Sequence, residues 1–380
     1  MKQVYINRVA GFLPNEPVTN EEMEDYLGKI NDRASRSKAI VLRNNGIKTR
    51  YYASDKNGKT THTNAQMAAL AIRKLFADDP QYLKKVELLA CGTSVPDQLM
   101  PSHAVMVHGL LPELGTIEVV SAAGVCCSGL HSLKYTYQAI KSGEVSTAVA
   151  SGSERLSAVM RKHVFEVEAR RLAELEKNPM IAFEKEFLRW MLSDGAGAAL
   201  LSSQPNETGL SLRIDWLVGY SFANRAETCM YMGADKMEDG SLKSWMDFMP
   251  DELVNRSVMA IKQDLKLLDK NIVRLGTDYL KETYLKKGHK LEELDYFLVH
   301  MSSEYFRSRI AARFEEIGFD IPQEKWFTNL TTKGNIGAAA IYVMLEEMLQ
   351  KNMLKKGNTI LISVPESARF SYVFGHLTVC

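Results

Sequence analysis

Short apolar segments that read as buried strands alternate with helix-like segments, and this alternation constrains the fold more than any other feature of the sequence. The strand-like segments of the first half are VELLACGTS (86–94), IEVVSAAG (117–124), TAVASGSE (147–154) and GAALLSS (197–203). The second half repeats the pattern with YFLVHMSS (296–303), the helix-like YFRSRIAARFEEIG, TILISVP (359–365) and a final strand, SYVFGHLTV. Alternation of this kind predicts an α/β fold in which helices cover the sheets.

The chain is long and nearly neutral. Its 380 residues exceed what one compact core usually holds, which favours two domains or two similar halves. A formal net charge of +1 indicates neither a nucleic-acid-binding nor an anionic-membrane-binding protein, so a small or protein-borne substrate is favoured. The N-terminus, MKQVYINRVAGFLP, lacks a signal-peptide core, and no apolar run reaches the roughly 20 residues that span a bilayer. We expect a cytoplasmic protein.

Cysteine and histidine spacing argues against disulfides and metal sites. The five cysteines, at 91, 126, 127, 229 and 380, form no C-x-x-C pair. His103 and His108 are the close histidine pair, but a five-residue step separates them around a helix. We therefore expect no metal and assign both histidines structural roles.

One segment has the layout of a nucleophile site. IEVVSAAGVCCSGLHSLKYTYQAIKSGE reads as a strand, a small-residue turn and a helix whose Leu130, Leu133, Tyr137 and Ile140 face one way. Cys127 falls at the start of this helix. There the helix dipole and unpaired backbone N–H groups favour a thiolate, which a sulfur nucleophile needs. Taken alone, the position also fits an inert buried cysteine.

Two later segments contribute hydrogen-bond donors. DYFLVHMSS places His300 just beyond four apolar residues, and TTKGNIGAAA places Asn335 in a Gly-flanked turn. Two neutral donors near a thiolate can hold a thioester carbonyl and stabilise the enolate that forms when its α-carbon becomes a carbanion. Singly, His300 would be read as a core histidine and Asn335 as a turn residue.

Together these residues resemble the β-ketoacyl-ACP synthase III branch of the thiolase superfamily, from about residue 4 to the C-terminus. Six motifs carry the resemblance: N-N-G-I-K-T-R (44–50), S-x-x-x-x-x-x-P-S (94–102), C-S-G-L (127–130), L-S-D-G-A-G-A-A-L (192–200), V-H (299–300) and G-N-x-G-A-A (334–339). Their order and spacing along one chain make coincidence a poor explanation.

The resemblance implies a thiolase fold, a five-layered α-β-α-β-α sandwich of two related halves, normally assembled as a homodimer. The first half would span residues 1–205, carry the nucleophilic cysteine and include a helical insertion at about 155–191. The second half would span 206–380 and carry the catalytic histidine and asparagine. Val164, Val167, Leu172 and Leu175 recur in the insertion at roughly helical spacing, which predicts one or two amphipathic helices. They would form either a cap with a solvated face or a lid or carrier-protein contact.

The resemblance also assigns roles to residues. It makes Cys127, rather than Cys126, the acyl acceptor. It assigns His300 and Asn335 the role of binding the incoming thioester. It implies that Met100, just before Pro101, reaches across the homodimer into the partner's acyl pocket. Asp194 is assigned a structural role in the turn between the halves.

The chain departs from the family at two places that bear on its substrates. Coenzyme A users often have Trp and Arg just before G-I-x-x-R, whereas this chain reads KAIVLRNNGI without Trp, which favours an acyl carrier protein over acyl-CoA. A loop that is usually glycine-rich reads VPESARFSY. We expect Ser367 to supply a backbone N–H to the oxyanion and Arg369 to recognise the second substrate. Alternatively, Arg369 pairs with Glu366 or Glu154 and only holds the loop.

The sequence therefore predicts a ketosynthase that forms a carbon–carbon bond by Claisen condensation through an acyl-Cys127 intermediate, without a metal or organic cofactor. The departures resemble ketosynthases of the dialkylresorcinol- and cyclohexanedione-forming branch, which join two acyl thioesters and cyclise the product. An acyltransferase acting on an alcohol or amine, and a synthase III that initiates fatty-acid synthesis, are the alternatives. A non-catalytic subunit is disfavoured because Cys127, His300 and Asn335 are all present.

Overall fold

The computed structural model describes residues 2–32, 34–35, 37–168 and 187–380. About half of the predicted helical insertion, residues 169–186 with Leu172 and Leu175, lies outside the described residues. No helix in these ranges is long and apolar enough to cross a membrane. The strands are β1 (Tyr5–Phe12), β2 (Val18–Thr19), β3 (Thr49–Arg50), β4 (Leu88–Thr93), β5 (Glu118–Ala123), β6 (Thr147–Glu154), β7 (Gly195–Ser202), β8 (Leu212–Ser221), β9 (Met230–Tyr231), β10 (Ala234–Lys236), β11 (Leu242–Ser244), β12 (Lys262–Gln263), β13 (Tyr296–Val299), β14 (Trp326–Phe327), β15 (Thr359–Glu366) and β16 (Ser371–Val379).

Helices follow the strands in the order that the apolar spacing predicts. They are α1 (Met23–Leu27), α2 (Lys38–Asn45), α3 (Asn64–Leu75), α4 (His103–Gly109), α5 (Ser128–Ser142), α6 (Pro250–Asn255), α7 (Leu265–Lys286), α8 (Tyr305–Glu316), α9 (Leu330–Lys333) and α10 (Ala340–Gln350). Local chemistry sets several starts. Thr63 and Gln66 form a capping box at α3, and the Asp264 side chain accepts two backbone hydrogen bonds at the start of α7.

One ten-stranded sheet organises the molecule, in the order β14-β13-β15-β16-β8-β1-β7-β6-β4-β5. Counted outward from the centre, the early strands run β1-β7-β6-β4-β5 and the late strands run β8-β16-β15-β13-β14, so the two halves have the same relative order. They meet where Tyr5 pairs with Arg213 and Ile6 with Leu212. The predicted boundary at residue 205 falls in the connection between β7 and β8.

The core that both half-sheets share contains α5 and α10. Leu130, Leu133, Tyr137 and Ile140 of α5 are all buried in it, as the sequence predicts, together with Ile341 of α10. A second core lies between the first half-sheet and α3 and α4, and a third includes α7 and α8 beside the second half-sheet. Helices therefore lie between and outside the two half-sheets.

One predicted buried strand is instead an exposed edge. The segment 117–124 forms β5 at the end of the sheet, and its residues are exposed or half-buried. The apolar character of this segment predicted burial, but an edge strand has a sheet neighbour on one side only. Beside it, Leu99 and Met100 are 71% and 86% exposed, and Val105 and Met106 of α4 are also exposed. We call β5 and these four side chains the edge surface.

Candidate active site

Cys127 stands where the sequence predicts, at the N-cap of α5 directly after the small-residue turn that follows β5. Its side chain is fully buried. The thiol donates a hydrogen bond to the backbone oxygen of Val364 in β15, with Sγ 3.3 Å from that oxygen. The nucleophile of the first half thus lies against a strand of the second half.

The expectation that the helix start favours a thiolate is wrong for this resting structure. Burial, followed by the negative charge of Glu366 and the neighbouring Cys126, raises the pKa of the Cys127 thiol well above its ordinary value. Removal from water disfavours the charged form, and here it outweighs the helix dipole. Cys127 is therefore a neutral thiol before substrate arrives, and its proton must leave during the attack.

A first cavity opens on the side of the second half. It encloses about 650 Å³ of empty space, part of it open to solvent. Its walls are mostly apolar side chains from α7, α8 and β13: Leu268, Ile272, Val273, Leu280, Phe297, Val299, Phe306, Ile310 and Phe314. Such a space suits an alkyl chain.

His300 lines this first cavity. It directly follows β13, and its backbone N–H donates to the backbone oxygen of Ser363, which ties it to β15. Its Nε2 atom is buried and has no hydrogen-bond partner among the described residues. Burial lowers the pKa of His300 to about 4, so the imidazole is neutral at neutral pH. A neutral imidazole with an unused buried nitrogen is suited to bind a substrate oxygen.

A second cavity, of about 680 Å³ including its open part, lies on the other side of Cys126. Asn335 lines it. The Asn335 Oδ1 atom accepts a hydrogen bond from the Gly337 backbone N–H at 3.0 Å, which leaves the amide NH₂ as the group available to a ligand. Met230, Tyr231 and Met232, from the irregular stretch 223–250, contribute to the wall.

The turn that carries Asn335 is held by a buried carboxylate. Glu154, at the end of β6, accepts hydrogen bonds from the Ala338 N–H at 3.1 Å and from the Ser94 hydroxyl at 2.5 Å. Burial raises the pKa of Glu154 to about 7. A Cβ at Gly337 would lie 2.7 Å from a Glu154 oxygen, and φ there is +46°, so glycine is needed. Asn335 is positioned by contacts between the two halves.

Cys126, Ser302 and Ser367 line both cavities, whereas Cys127 lines neither. The Ser367 hydroxyl accepts a hydrogen bond from Gln263 Nε2 at 2.9 Å. The predicted catalytic residues are therefore distributed around one junction: His300 on the first side and Asn335 on the second. The assignment of the acyl group to Cys127 rests on the C-S-G-L motif and stays a prediction.

Two predicted binding residues lie outside both cavities. Arg369 is exposed, and its Nε donates to the backbone oxygen of Ala226 at 2.9 Å. Within the described ranges it forms no ion pair with Glu366 or Glu154, whose carboxylates accept backbone N–H groups instead. Its role with a second substrate stays a prediction that no contact among the described residues supports. Met100 points from the edge surface into solvent. A residue that reaches into a partner subunit has to be exposed when one chain is considered alone.

The residue that sequence reasoning left without a role is Glu366. Its Oε2 atom accepts hydrogen bonds from the backbone N–H groups of Val125 at 2.8 Å and Cys127 at 3.1 Å. A charged residue at the end of the apolar segment TILISVP is a local signal that could have drawn attention to it. Gln263 gives no such signal, because its contact with Ser367 spans 104 residues.

No metal site is present in this part of the molecule or elsewhere in the described ranges, where no three His, Cys, Asp or Glu side chains are grouped to hold an ion. All five cysteines are free thiols. The residues around the junction can bind a thioester through backbone N–H groups, hydroxyls, an imidazole and an amide. These groups fit nucleophilic and acid–base chemistry.

Comparisons with known proteins agree with this chemistry. Residues 285–364 match the family described as 3-oxoacyl-(acyl-carrier-protein (ACP)) synthase III C terminal. The whole chain is 25% identical over 367 residues to beta-ketoacyl-(acyl-carrier-protein) synthase III of Clostridium novyi, with 95% of each chain covered.

Solved structures share the fold at low identity. AbyA1, a tetronic acid condensing enzyme, is 21% identical with a TM-score of 0.76, and the match covers 99% of each chain. A variant of OleA from Xanthomonas campestris is 19% identical with a TM-score of 0.75, covering 99% of this chain and 98% of that one. These likenesses confirm the predicted thiolase-type α/β fold.

Proposed function

We propose that the chain is a β-ketoacyl-ACP synthase III-like condensing enzyme of the thiolase superfamily and that it joins two acyl thioesters through an acyl-Cys127 intermediate. The observation that carries the proposal is the junction of two cavities at the start of α5, with His300 on one side and Asn335 on the other. We infer that one acyl unit occupies each cavity, on either side of the turn that precedes Cys127.

In the loading step, Cys127 Sγ attacks the carbonyl carbon of the first thioester. The new S–C bond replaces the bond to the donor sulfur, and the thiol proton ends on the departing donor thiol. Because the pKa of Cys127 is raised, the proton leaves together with the attack rather than before it. We propose that the Cys127 backbone N–H stabilises the oxyanion of this step.

In the condensation step, the α-carbon of a second thioester becomes a carbanion by loss of CO₂ or a proton. His300 and Asn335 donate hydrogen bonds to its carbonyl oxygen, which stabilises the enolate. The carbanion attacks the acyl-Cys127 carbonyl, the C–C bond forms, and the sulfur leaves and is reprotonated. These steps balance without a metal or redox cofactor, so we propose that none is required.

We propose an acyl carrier protein as the thioester donor. The relatives' names include the carrier protein, and the segment before Ile47 offers no exposed aromatic ring for an adenine. The nearby Trp190 is fully buried, beneath the Lys38 ammonium at 5.6 Å. Acyl-CoA is the competing donor, and parallel loading reactions with each donor separate the two.

We propose that the enzyme forms a homodimer through the edge surface. An unpaired strand edge beside Leu99, Met100, Val105 and Met106 is costly to leave in water. A second copy could cover it through an isologous contact. Met100→Trp should then shorten the acyl chain that the partner accepts. A light-scattering mass of a monomer with full activity would contradict this assembly.

A synthase III that initiates fatty-acid synthesis is the second candidate, because the curated relatives carry that name. A specialised condensation is favoured here, since the first cavity is lined mostly by apolar side chains, which suit an alkyl chain, and the loop 365–369 carries charged residues. Conversion of acetyl-CoA and malonyl-ACP alone would support the initiating role. Use of a longer acyl donor with a β-ketoacyl acceptor would support the specialised one.

The test is intact-mass spectrometry of the protein with a panel of acyl-carrier thioesters, followed by product analysis after malonyl or β-ketoacyl thioesters are added. An acyl adduct of the protein that disappears as a C–C coupled product forms is expected. An adduct that transfers only to alcohols or amines would instead identify an acyltransferase.

A further inference from the structure

The start of the nucleophile helix already holds an internal anion. Glu366 Oε2 lies 2.8 Å from the Val125 nitrogen and 3.1 Å from the Cys127 nitrogen, and both N–H groups donate to it. Glu366 is 8% exposed and ends β15, where it pairs with Ser371 of β16. A carboxylate that links β15 to the turn before α5 brings the two halves together at the nucleophile.

The Cys127 N–H is also the donor that the reaction needs. When Cys127 Sγ attacks a carbonyl, the developing oxyanion lies within reach of the backbone of the same residue. A single N–H cannot serve the Glu366 carboxylate and a substrate oxygen equally well, because sharing weakens both hydrogen bonds. The carboxylate also carries the same charge as the oxyanion and opposes it.

We propose that Glu366 is a positioning residue that occupies the Cys127 N–H in the resting enzyme and must release it to the carbonyl oxygen of the incoming thioester. This inference rests on the proposed acyl-Cys127 chemistry. It makes the loop 365–369 part of the loading step, in addition to any contact with the second substrate.

Charges around Glu366 support this role. Burial raises its pKa, and its charge in turn raises the pKa of both Cys127 and Cys126. Glu154 acts on Cys126 in the same direction, and the Tyr372 hydroxyl of β16 faces Cys127, with a pKa raised mainly by burial. No cation is among the groups that act on Glu366 or Cys127 in the described residues. Its carboxylate is stabilised by the two N–H groups.

Glu366→Gln and Glu366→Ala test the inference, each in a Cys126→Ser background that leaves Cys127 as the thiol at the junction. Glutamine keeps an oxygen to accept the two N–H bonds but removes the charge, whereas alanine frees both donors. The midpoint of labelling is the pH at which iodoacetamide labels half of Cys127 in a fixed time, measured from about pH 6 to about pH 10 and located by fragment mass spectrometry. It reports the thiol's reactivity without any acyl substrate. Loading from an N-acetylcysteamine acyl thioester reports access to the oxyanion donor.

The matched control is Asp264→Asn. Asp264 also accepts two backbone N–H bonds at a helix start, but it lies beside Cys229 rather than Cys127. Its substitution removes a carboxylate of the same kind and should leave the Cys127 labelling profile unchanged. A shift in this control would show that the profile reports general loss of stability.

For Glu366→Gln, the midpoint of labelling should move to lower pH, because the negative charge that disfavours the thiolate is gone. For Glu366→Ala, loading should accelerate by roughly tenfold, the scale of one charge-assisted hydrogen bond. An unmoved or raised midpoint in Glu366→Gln overturns the inference. Slower loading by Glu366→Ala at an unchanged melting temperature overturns it too, since the carboxylate would then assist the reaction. If the Glu366→Ala variant is unstable, the midpoint of Cys127 labelling in Glu366→Gln tests the inference by itself.

Failure of the proposed function gives a different result. If Glu366→Gln shifts the labelling of Cys127 but no thioester loads onto the wild-type protein, the condensing function fails and the role of Glu366 beside the thiol stands. If the wild type condenses thioesters while neither variant changes labelling or loading, only the inference about Glu366 fails.

Discussion

The two cavities beside Cys126 differ in the type of structural element that forms their walls. The first is built from regular elements: α7, α8 and β13 contribute aromatic and branched side chains such as Phe306 and Ile310. The second is built from turns and short strands, with Met230 and Met232 from the irregular stretch 223–250 and Asn335 from a turn. One space is framed by secondary structure and the other by connecting segments.

This difference suggests a division of labour between the substrates. Packed aromatic and branched side chains resist displacement, so the first cavity should select an acyl chain by length. Methionine adapts its shape, and turns move more readily than helices, so the second cavity should accept more varied partners. We therefore expect the loaded acyl chain in the first cavity and the second thioester in the other.

The largest expected effect concerns the junction that both cavities share. Cys127→Ala should abolish acyl loading, whereas Cys126→Ser should retain it, because the C-S-G-L motif places Cys127 at the nucleophile position. Intact-mass spectrometry with an acyl thioester measures both variants. Because Cys126 is the cysteine that lines the cavities, an acyl group located on Cys126 by fragmentation would break the assignment and require a new mechanism.

Removing one donor from each cavity should come next in size. His300→Ala and Asn335→Ala should each slow condensation by roughly 10²–10³-fold while leaving loading closer to wild type, which is the usual effect of losing one oxyanion donor. Rapid-quench measurements of the two half-reactions separate these steps. Equal losses in loading and condensation would show that the two donors do not act on the second substrate.

The pH dependence of condensation tests the state of His300. Burial holds its pKa at about 4, so the neutral imidazole should persist as the pH falls from 7, and the acid limb due to His300 should lie near pH 4. The same lowering means that the folded state loses stability as the pH falls below about 6.5, because the unfolded histidine binds its proton first. An acid limb near pH 6.5 that disappears in His300→Gln would contradict the buried neutral state.

A matched pair of wall substitutions tests the division of labour. Val273→Phe in the first cavity should reduce loading of long acyl chains by about tenfold relative to short ones, because added volume is not absorbed by a packed wall. Met232→Phe in the second cavity should leave that chain-length preference unchanged. Competition between acyl donors of different length gives the ratio directly. The opposite pattern would assign the loaded chain to the second cavity.

Arg369 should show the smallest effect. Its side chain donates a hydrogen bond to the Ala226 backbone, so Arg369→Ala should lower the free energy of unfolding by about 1 kcal/mol and change both half-reactions only slightly. Thermal melting and the two half-reactions measure this. A selective fall in condensation of roughly tenfold or more, with loading intact, would instead restore the predicted contact with a second substrate.

Much of the architecture was predictable because it depends on local patterns. The strand before Cys127, the apolar face of α5 and the strand before His300 all follow from the spacing of neighbouring side chains. The exposure of β5 was not predictable, because a short apolar strand reads the same at the edge of a sheet as inside it. Which strand becomes the edge depends on the order of strands in the whole sheet.

The sequence by itself determined the secondary-structure elements and the motif that marks Cys127. It also placed His300 directly after a strand and Asn335 in a turn. Only the tertiary structure decided the electrostatics of the site. Glu366 accepts the hydrogen bond from a residue 239 positions earlier in the chain, and its charge, with burial, reverses the expected ionisation of Cys127. A pKa depends on solvent exclusion and on charges within a few ångströms, and folding brings those charges from distant parts of the chain.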